Sequence, residues 1–392
     1  MFTVLGAPMF RVPATVVFVA ALWASYASAT ALHGHRPVKD TVPFDGQYLA
    51  ANSSNTQTEW WYIQGVSEPV GDESPSSVVV VFYQGNVLYT APAGNMEPEF
   101  TISISGFLSN GTTYNVTIPT TTGTITTDGQ AVDGTWGTAG KFFLSSDLNT
   151  FTVELNSPEY GMSGSIVLTS SASPHYACNV TDDPYFDTAV PAGVSLSPTE
   201  TALFTEFGWA VTIPGGQAVV DLLIDGTPLQ FIGNGYHDHN FSPAAIFGYA
   251  SQWQWLQAQA GPYVLTGAIM QAINSTLIAN TGYLAESGVV VQNQCSLVGS
   301  RRVDFNSVTP YGASFDNVTG AVVPQGFLLG YTLEDGEQYS FNLTTVGTFP
   351  DTSIYYRWIG TATGGKVGGV QYTGTTIHEW LDPSLSLYTP SQ

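Results

Sequence analysis

The sequence predicts an all-β protein, and three features of its pattern support that fold class. Short segments rich in β-branched and aromatic residues recur along the chain. Each is bounded by Gly, Asn, Asp or Pro, the residues that favour turns. Segments with the period of an amphipathic helix are nearly absent. Turn signals about every 8 to 12 residues are typical of a β-sandwich or a β-barrel, and a barrel also removes exposed strand edges.

Five segments show the strand pattern most clearly, and they are SSVVVVFYQG, FTVELN, GSIVLTS, AVVDLLIDG and YVLTGAIMQAI. In FTVELN, the residues Phe151, Val153 and Leu155 share one face because successive side chains of a strand alternate. Two further segments are both aromatic and polar, TEWWYIQG at 58–65 and GYHDHNFS at 235–242. Each stands near the start of one half of the chain, which predicts a tandem of two similar barrels.

The N-terminal residues have the pattern of a signal peptide. One basic residue, Arg11, precedes an apolar run at 12–23, and small residues stand at 27–29. The apolar run is too short to span a bilayer, and no later run is long enough to do so. We therefore predict a signal peptide at 1–29 and a secreted protein without membrane insertion.

The chain length predicts two domains. Removing the first 29 of 392 residues leaves 392 minus 29, or 363, which is more than one hydrophobic core usually supports. Pro, Asp and Ser cluster without periodicity at 177–203, and a Gly-rich break follows before residue 235. We predict an N-terminal domain at 30–232 and a C-terminal domain at 233–392.

The composition excludes several classes of partner. The formal net charge is −22, with 8 Lys and Arg against 30 Asp and Glu. Nucleic acids and anionic membrane surfaces are both bound through Lys and Arg, so neither is an expected partner. Only 10% of the residues are charged whereas 13% are aromatic, which favours a hydrophobic small molecule as the ligand.

Cysteines and sequons predict maturation in an oxidising compartment. Cys178 and Cys295 are the two cysteines, and a disulfide between the two halves is favoured over two buried free thiols. Eight N-x-S/T sequons occur, of which that of Asn240 is weakened by Pro243, and the other seven predict N-glycosylation at the surface. The predicted acceptors are Asn52, Asn110, Asn115, Asn179, Asn274, Asn317 and Asn342.

The segment GYHDHNF allows three interpretations. In a strand, His237 and His239 point to the same face about 6.5 to 7 Å apart, and Asp238 points to the opposite face. The two histidines would suit a metal ion with a third ligand from His175, His378 or Glu379. No Cys-x-x-Cys or His-Glu-x-x-His motif accompanies them, so we predict no metal site. We interpret the segment chiefly as a hydrogen-bonded structural seam at the start of the second barrel, and a histidine face directed at a ligand remains the alternative.

Aromatic clusters with scattered polar neighbours predict an apolar cavity with a few hydrogen-bonding points. In TEWWYI, alternation places Glu59 and Trp61 on one face and Trp60 and Tyr62 on the other. The residues predicted to shape the cavity are Glu59, Trp61, Tyr83, Trp253, Trp255, Tyr356, Trp358 and Trp380. Lys366, in a Gly-rich strand turn, is a candidate hydrogen-bond donor to a substrate carbonyl.

The motifs EWWY at 59–62 and GYHDHNF at 235–241 resemble those of a tandem lipocalin-like family. That family includes the carotenoid hydratases, or hydroxyneurosporene synthases, and the fungal Diels–Alderases. Phe241 stands where the family usually has Trp. The resemblance implies two lipocalin-like β-barrels packed side by side, with the ligand cavity in or between them.

Among the reactions of this family, hydration is the less favoured. A hydratase must protonate an alkene and needs a positioned acid. The segment 241–285 contains no Asp or Glu, which leaves Glu59, Asp238 and Glu379 as the possible acids.

A pericyclic reaction demands less, because it needs orientation of the reactants and a hydrogen bond to a conjugated carbonyl, and no cofactor. The candidate catalytic donors are His237, His239 and Lys366. The predicted signal peptide favours the branch that resembles the hetero-Diels–Alderases of tropolonic sesquiterpenoid pathways. That likeness implies the addition of a tropolone o-quinone methide to a humulene-type terpene. The alternatives are a hydratase or isomerase that protonates an alkene, and a carrier that leaves a hydrophobic metabolite unchanged.

Overall fold

The computed structural model describes residues 42–49, 57–68, 75–85, 87, 100–179, 183–301, 303–315, 322–349 and 355–381. The predicted signal peptide at 1–29 and the predicted glycosylation sites Asn52 and Asn317 lie outside these residues. Strands dominate the described ranges, and this confirms the all-β prediction. No helical segment in these ranges is long and apolar enough to span a membrane.

The first sheet contains twelve antiparallel strands. They are β1 (Thr58–Ser67), β2 (Ser77–Gln84), β3 (Phe100–Phe107), β4 (Thr113–Thr120), β5 (Gly123–Asp128), β6 (Ala131–Trp136), β7 (Gly140–Leu144), β8 (Thr150–Ser157), β9 (Met162–Ser170), β10 (His175–Tyr176), β11 (Gly208–Ile224) and β12 (Thr227–Ser242). Their order is β4-β3-β2-β1-β12-β11-β9-β8-β7-β6-β5, and β10 pairs with β11. The edge strands β4 and β5 are joined by only two residues, so the sheet curls into a nearly closed barrel.

The second sheet contains nine antiparallel strands. They are β13 (Ala250–Ala260), β14 (Tyr263–Ala272), β15 (Ile278–Glu286), β16 (Val289–Leu297), β17 (Phe305–Tyr311), β20 (Gly326–Thr332), β21 (Gln338–Thr348), β22 (Tyr355–Lys366) and β23 (Tyr372–Leu381), while β18 (Ser314–Phe315) pairs with β19 (Val322–Val323) apart from them. Their order is β16-β15-β14-β13-β23-β22-β21-β20-β17. The Asn306 side chain of the edge strand β17 donates to the Thr281 carbonyl of β15 at 2.8 Å, which draws the two edges of this barrel together.

Short helical turns fill the connections. They are 3₁₀ turns at Pro158–Tyr160, Asp187–Ala189 and Ile246–Gly248, an α-helical turn at Pro198–Thr201 and a π-helical turn at Ala202–Glu206. Ser197 and Glu200 form a capping box at the start of the α-helical turn, with the Ser197 amide donating to the Glu200 carboxylate at 2.7 Å.

Each barrel encloses an apolar core, and a third core lies between the barrels. Phe82 and Phe151 pack inside the first barrel, and Leu329 and Phe341 pack inside the second. The third core contains Tyr62, Tyr236 and Trp255 and draws its residues from both sheets. Strands β1 and β2 are therefore buried on both faces, because one face lines the first barrel and the other faces the second sheet. The prediction of two lipocalin-like barrels packed side by side is confirmed.

The Cys178–Cys295 disulfide joins the two halves, as predicted, since Cys178 follows β10 and Cys295 lies in β16. The predicted domain boundary at residue 233 differs from the sheet topology. The Gly-rich break contains a hairpin turn at Asp225 and Gly226, both with positive φ, that joins β11 to β12. Strand β12 runs through residue 233 and is the last strand of the first sheet in chain order. The His-Asp-His segment therefore belongs to the first barrel rather than to the start of the second.

The predicted glycosylation sites within the described residues lie at the surface. The side chains of Asn110, Asn115, Asn274 and Asn342 are exposed, and that of Asn179 is half-buried. Attachment of glycans at these positions stays a prediction.

Candidate functional site in the cleft between the barrels

A cleft opens between the two barrels and encloses about 580 Å³, including the solvent at its mouth. Its first wall is the outer face of β1 and β12, which are hydrogen-bonded neighbours. Trp60 lies opposite Asn240 and Tyr62 lies opposite Asp238 in the register, so these four side chains share one face. Tyr83 of β2 continues this wall. The lining is mainly aromatic and aliphatic with a few polar groups, a composition that suits an apolar small molecule.

The second wall comes from β13, β22 and β23. Trp255 of β13 lies opposite Glu379 of β23, which in turn lies opposite Arg357 of β22. Trp253, two residues earlier in β13, lines the same face. Trp255 crosses the cleft to meet the first wall, with its ring centroid 5.5 Å from that of Tyr62 in an edge-to-face arrangement. Within the described residues, the indole N–H groups of Trp253 and Trp255 have no hydrogen-bond partner.

Asp238 is a buried carboxyl group in the first wall. It accepts hydrogen bonds from the Trp209 indole at 2.7 Å, the Tyr236 hydroxyl at 2.6 Å and the Asn240 amide at 3.0 Å. Burial raises the pKa of Asp238 to about 7, although the donors from Tyr236 and Trp209 lower it. Burial also holds the pKa of the Tyr236 phenol well above its usual value, so that hydroxyl stays protonated and donates. Asp238 is therefore a group that can carry a proton near neutral pH.

The second wall contains a buried ion pair. The Arg357 Nε donates to the Glu379 Oε1 at 2.7 Å, and its Nη2 donates to the Tyr355 hydroxyl at 2.8 Å. The guanidinium also lies 5.4 Å from the centroid of the Tyr62 ring. The negative charge of Glu379 also acts on Asp238 across the cleft and further raises the pKa of Asp238.

The two histidines predicted as donors lie on the opposite face of β12, inside the first barrel. His237 Nε2 is 3.0 Å from Asp45 Oδ2, and His239 Nε2 is 2.9 Å from Glu59 Oε1. Burial lowers the pKa of His239 to about 3 and raises the pKa of Glu59 well above its usual value. The pair is therefore neutral, with one shared proton, and it holds together the wall of the barrel. The segment is thus a buried hydrogen-bonded seam, as interpreted from the sequence, and the two histidines named as candidate donors do not line the cleft.

Glu59 also anchors the segment that precedes β1. Its carboxylate accepts the backbone amides of Tyr48 at 2.7 Å and Leu49 at 3.1 Å. Its neighbour on the same face, Trp61, stacks on His239 with centroids 4.4 Å apart and is fully buried in the first barrel. Neither Glu59 nor Trp61 lines the cleft, because the cleft lies on the other face of β1.

Three aromatic residues predicted for the cavity lie inside the second barrel instead. Tyr356, Trp358 and Trp380 belong to its core, since Arg357 and Glu379 occupy the cleft-facing positions between them. Lys366, the remaining predicted donor, is exposed at the end of β22 and forms an ion pair with Glu337. Tyr83, Trp253 and Trp255 do line the cleft.

The residues considered as metal ligands lie apart. His175 stacks on Tyr283 with centroids 4.1 Å apart, whereas His378 lies inside the second barrel beside Thr345 at 2.9 Å. In the part of the chain that the structure describes, no three His, Cys, Asp or Glu side chains are arranged to bind a metal ion.

Comparison with known proteins assigns the family. The profile of the Diels-Alderase-like family matches residues 48–384, which covers both barrels. The chain belongs to the Diels-Alderase-like family. The quinolone epoxide rearrangement protein penF of Penicillium thymicola is 30% identical over 333 residues, which are 81% of this chain and 83% of penF. The Diels-Alderase cheD of Chaetomium globosum is 24% identical over 378 residues, which are 89% of this chain and 80% of cheD.

A solved structure shows the same fold. The crystal structure of CghA with Sch210972 superposes with a TM-score of 0.64 at 20% identity, and covers 89% of this chain and 97% of that of CghA. Identity at this level supports the shared fold of two barrels and carries no residue roles.

The sequence motifs select strands that form the cleft, but several of the selected residues lie on the opposite faces of those strands. His237, His239 and four of the seven predicted aromatic residues, Trp61, Tyr356, Trp358 and Trp380, lie next to residues that line the cleft. The aromatic and polar cleft residues missed by the sequence interpretation are Trp60, Tyr62, Asn240, Tyr355 and Arg357. The available signal was the alternation itself, since each missed residue stands directly beside or between residues that were selected.

Proposed function

We propose that the protein is a cofactor-independent pericyclase that catalyses a Diels–Alder or hetero-Diels–Alder cycloaddition in natural-product biosynthesis. The observation that carries the proposal is the aromatic cleft with indole N–H groups that lack partners, in a chain of the Diels-Alderase-like family. Relatives named Diels-Alderases, including cheD, support the same reaction class.

The cleft meets the two demands of such a reaction. Its aromatic walls hold two apolar reactants in contact, and orientation alone supplies on the order of 7 to 11 kcal/mol in the best intramolecular reactions. A hydrogen bond from the Trp253 or Trp255 indole to a carbonyl oxygen of the diene would stabilise the negative charge that develops there. In the hetero reaction, the oxygen and the terminal carbon of the heterodiene each form one bond to an alkene carbon. All atoms are retained, and no proton or electron has to leave.

We propose a tropolone-derived o-quinone methide as the heterodiene and a humulene-type terpene as the alkene. The support is the sequence resemblance, together with a cleft that is apolar apart from a few polar groups. The test is incubation of the purified protein with an o-quinone-methide precursor and the terpene, with chiral analysis of the products against a protein-free control. One enriched cycloadduct supports the proposal, whereas the racemic background mixture rejects it.

Two variants sharpen this test. Trp255→Phe keeps the ring and removes the indole N–H, and we expect kcat/KM to fall about fivefold, the effect of one hydrogen bond of about 1 kcal/mol. Lys366→Ala, which lies outside the cleft, is the matched control and should keep full activity. Binding of the substrates without any change in rate or stereochemistry would identify a carrier instead.

One observation favours a second candidate, which is a rearrangement or hydration that begins with proton transfer. Burial raises the pKa of Asp238 to about 7, so this cleft residue can act as an acid near neutral pH. Two relatives that match most of the chain are named quinolone epoxide rearrangement proteins. Asp238→Asn should abolish such a reaction, and deuterium from the solvent would appear in a hydration product. A concerted cycloaddition would incorporate none.

We also propose that the protein is secreted and N-glycosylated. The disulfide between Cys178 and Cys295 is typical of an oxidising compartment, and Asn110, Asn115 and Asn274 are exposed sequon residues. Treatment of the secreted protein with an N-glycosidase should lower its mass by several glycans. An unchanged mass would reject the glycosylation.

A further inference from the structure

Asn240 carries a polar atom that the protein leaves without a partner. Its side chain lies in the first wall of the cleft and is 2% exposed, yet its Oδ1 has no hydrogen-bond partner among the described residues. Buried polar atoms are paired in the great majority of cases, because an unpaired one loses its hydration without compensation. The indole N–H of Trp255, which is 3% exposed in the opposite wall, is unpaired in the same way. The cleft thus offers one acceptor and at least one donor.

The orientation of the Asn240 amide is fixed by Asp238. The Asn240 Nδ2 donates to Asp238 Oδ1 at 3.0 Å, so the amide oxygen is the atom that remains without a partner. The other oxygen of Asp238 is held by Trp209 and Tyr236, which prevents the carboxylate from turning. Rotating the amide would place its oxygen against the carboxylate. While Asp238 is ionised, Asn240 therefore presents an acceptor and not a donor.

We propose that Asn240 determines the specificity of the cleft for conjugated carbonyl compounds that carry an N–H or O–H donor. The donor of the ligand pairs with Asn240 Oδ1, and the carbonyl oxygen of the ligand accepts from the indole of Trp255. A ligand whose donor is blocked by alkylation leaves Asn240 unpaired and binds more weakly. The inference deepens the proposed function, because it concerns the same cleft, and it names the chemical class of the substrate.

The experiment compares 2-quinolone with N-methyl-2-quinolone by isothermal titration calorimetry. Both are flat carbonyl compounds, and only the first has an N–H. The measurement is made at pH 8, above the pKa of about 7 to which burial raises Asp238. We expect N-methylation to weaken binding to the native protein about tenfold. In Asn240→Leu, which removes the acceptor, the two ligands should bind within about twofold of each other.

A matched control comes from the other face of β13. Gln254 is also buried, at 5% exposure, and its Oε1 also lacks a partner, but it does not line the cleft. Gln254→Leu should therefore keep the tenfold preference for the N–H ligand. Comparing the two ligands in two proteins cancels the steric effect of the methyl group on the binding free energy, since that effect is present in both proteins.

Three results would overturn the inference. They are equal binding of the two ligands to the native protein, a preference that survives in Asn240→Leu, and the absence of saturable binding of 2-quinolone. None of them depends on turnover. A protein that discriminates between the two quinolones yet gives racemic cycloadducts would retain this inference and reject the proposed function.

Discussion

Replacing Asp238 with Asn should remove a pH-dependent loss of stability that the native protein shows between about pH 4 and pH 7. The substitution keeps the size of the side chain and eliminates its titration. The prediction rests on the burial of this carboxyl among neutral donors, which raises its pKa from 3.8 to about 7. The unfolded chain exposes the same group to water and restores its ordinary pKa.

The sign and the size of this change in stability follow from the pKa values of Asp238 in the folded and unfolded states. Between them, the native protein keeps the proton of Asp238 while the unfolded chain releases it, so the unfolded state binds fewer protons and stability falls as pH rises. The stabilisation is complete below pH 3.8 and is lost by the time the pH passes the folded value of about 7. A difference of about three pKa units corresponds to about 4 kcal/mol in the free energy of unfolding.

Urea unfolding followed by tryptophan fluorescence from pH 4 to pH 8 measures this effect. The free energy of the native protein minus that of Asp238→Asn should fall by about 4 kcal/mol across the range, because the contributions of other titrating groups cancel. Asp221→Asn, an exposed position on β11 of the same barrel, controls for the loss of a carboxylate. A flat difference curve for Asp238→Asn would mean that its three donors offset burial, and Asp238 would then not act as an acid near neutral pH.

Three further predictions concern groups outside the cleft. Lys366→Ala should leave the urea unfolding curve unchanged, because its ion pair is exposed. Replacing Cys178 and Cys295 with Ser should lower stability by about 5 kcal/mol by the same assay, since the bond closes a separation of 117 residues. Asp45→Ala should cost about 1 to 3 kcal/mol by leaving His237 without its carboxylate partner. Unaltered unfolding curves would contradict the last two.

The local pattern of the sequence was sufficient for the fold class and for the two barrels. Alternation in segments such as 151–156 depends only on neighbouring residues, and it identifies a strand whatever the strand pairs with. The pairing partners depend on distant residues. Thr58 of β1 lies opposite Ser242 of β12, and no short-range signal indicates that the last strand of the first sheet pairs with its first strand. The predicted domain boundary at residue 233 therefore falls within β12 rather than after it.

The candidate site shows the same limit at the scale of a single strand. Alternation correctly placed His237 and His239 on one face and Asp238 on the other, but it gives no means of deciding which face meets a ligand. The histidines are candidate donors because a ring N–H can bond to a conjugated carbonyl, whichever face they occupy. Their partner Asp45 lies 192 positions away from His237 in the sequence, so only the fold shows the buried hydrogen bonds that the histidines form.

The two faces of β12 act together, and this accounts for the His-Asp-His segment. On the inner face, His237 and His239 are bonded to Asp45 and Glu59, which fixes the backbone of the strand against the first barrel. On the outer face, Asp238 orients an amide two residues away and holds a proton near neutral pH. A cleft residue needs a supporting layer to keep its position within fractions of an ångström, and here that layer is the rear of the same strand. Substitutions of the histidines should therefore affect chemistry in the cleft through the backbone they hold, even though neither imidazole reaches the ligand.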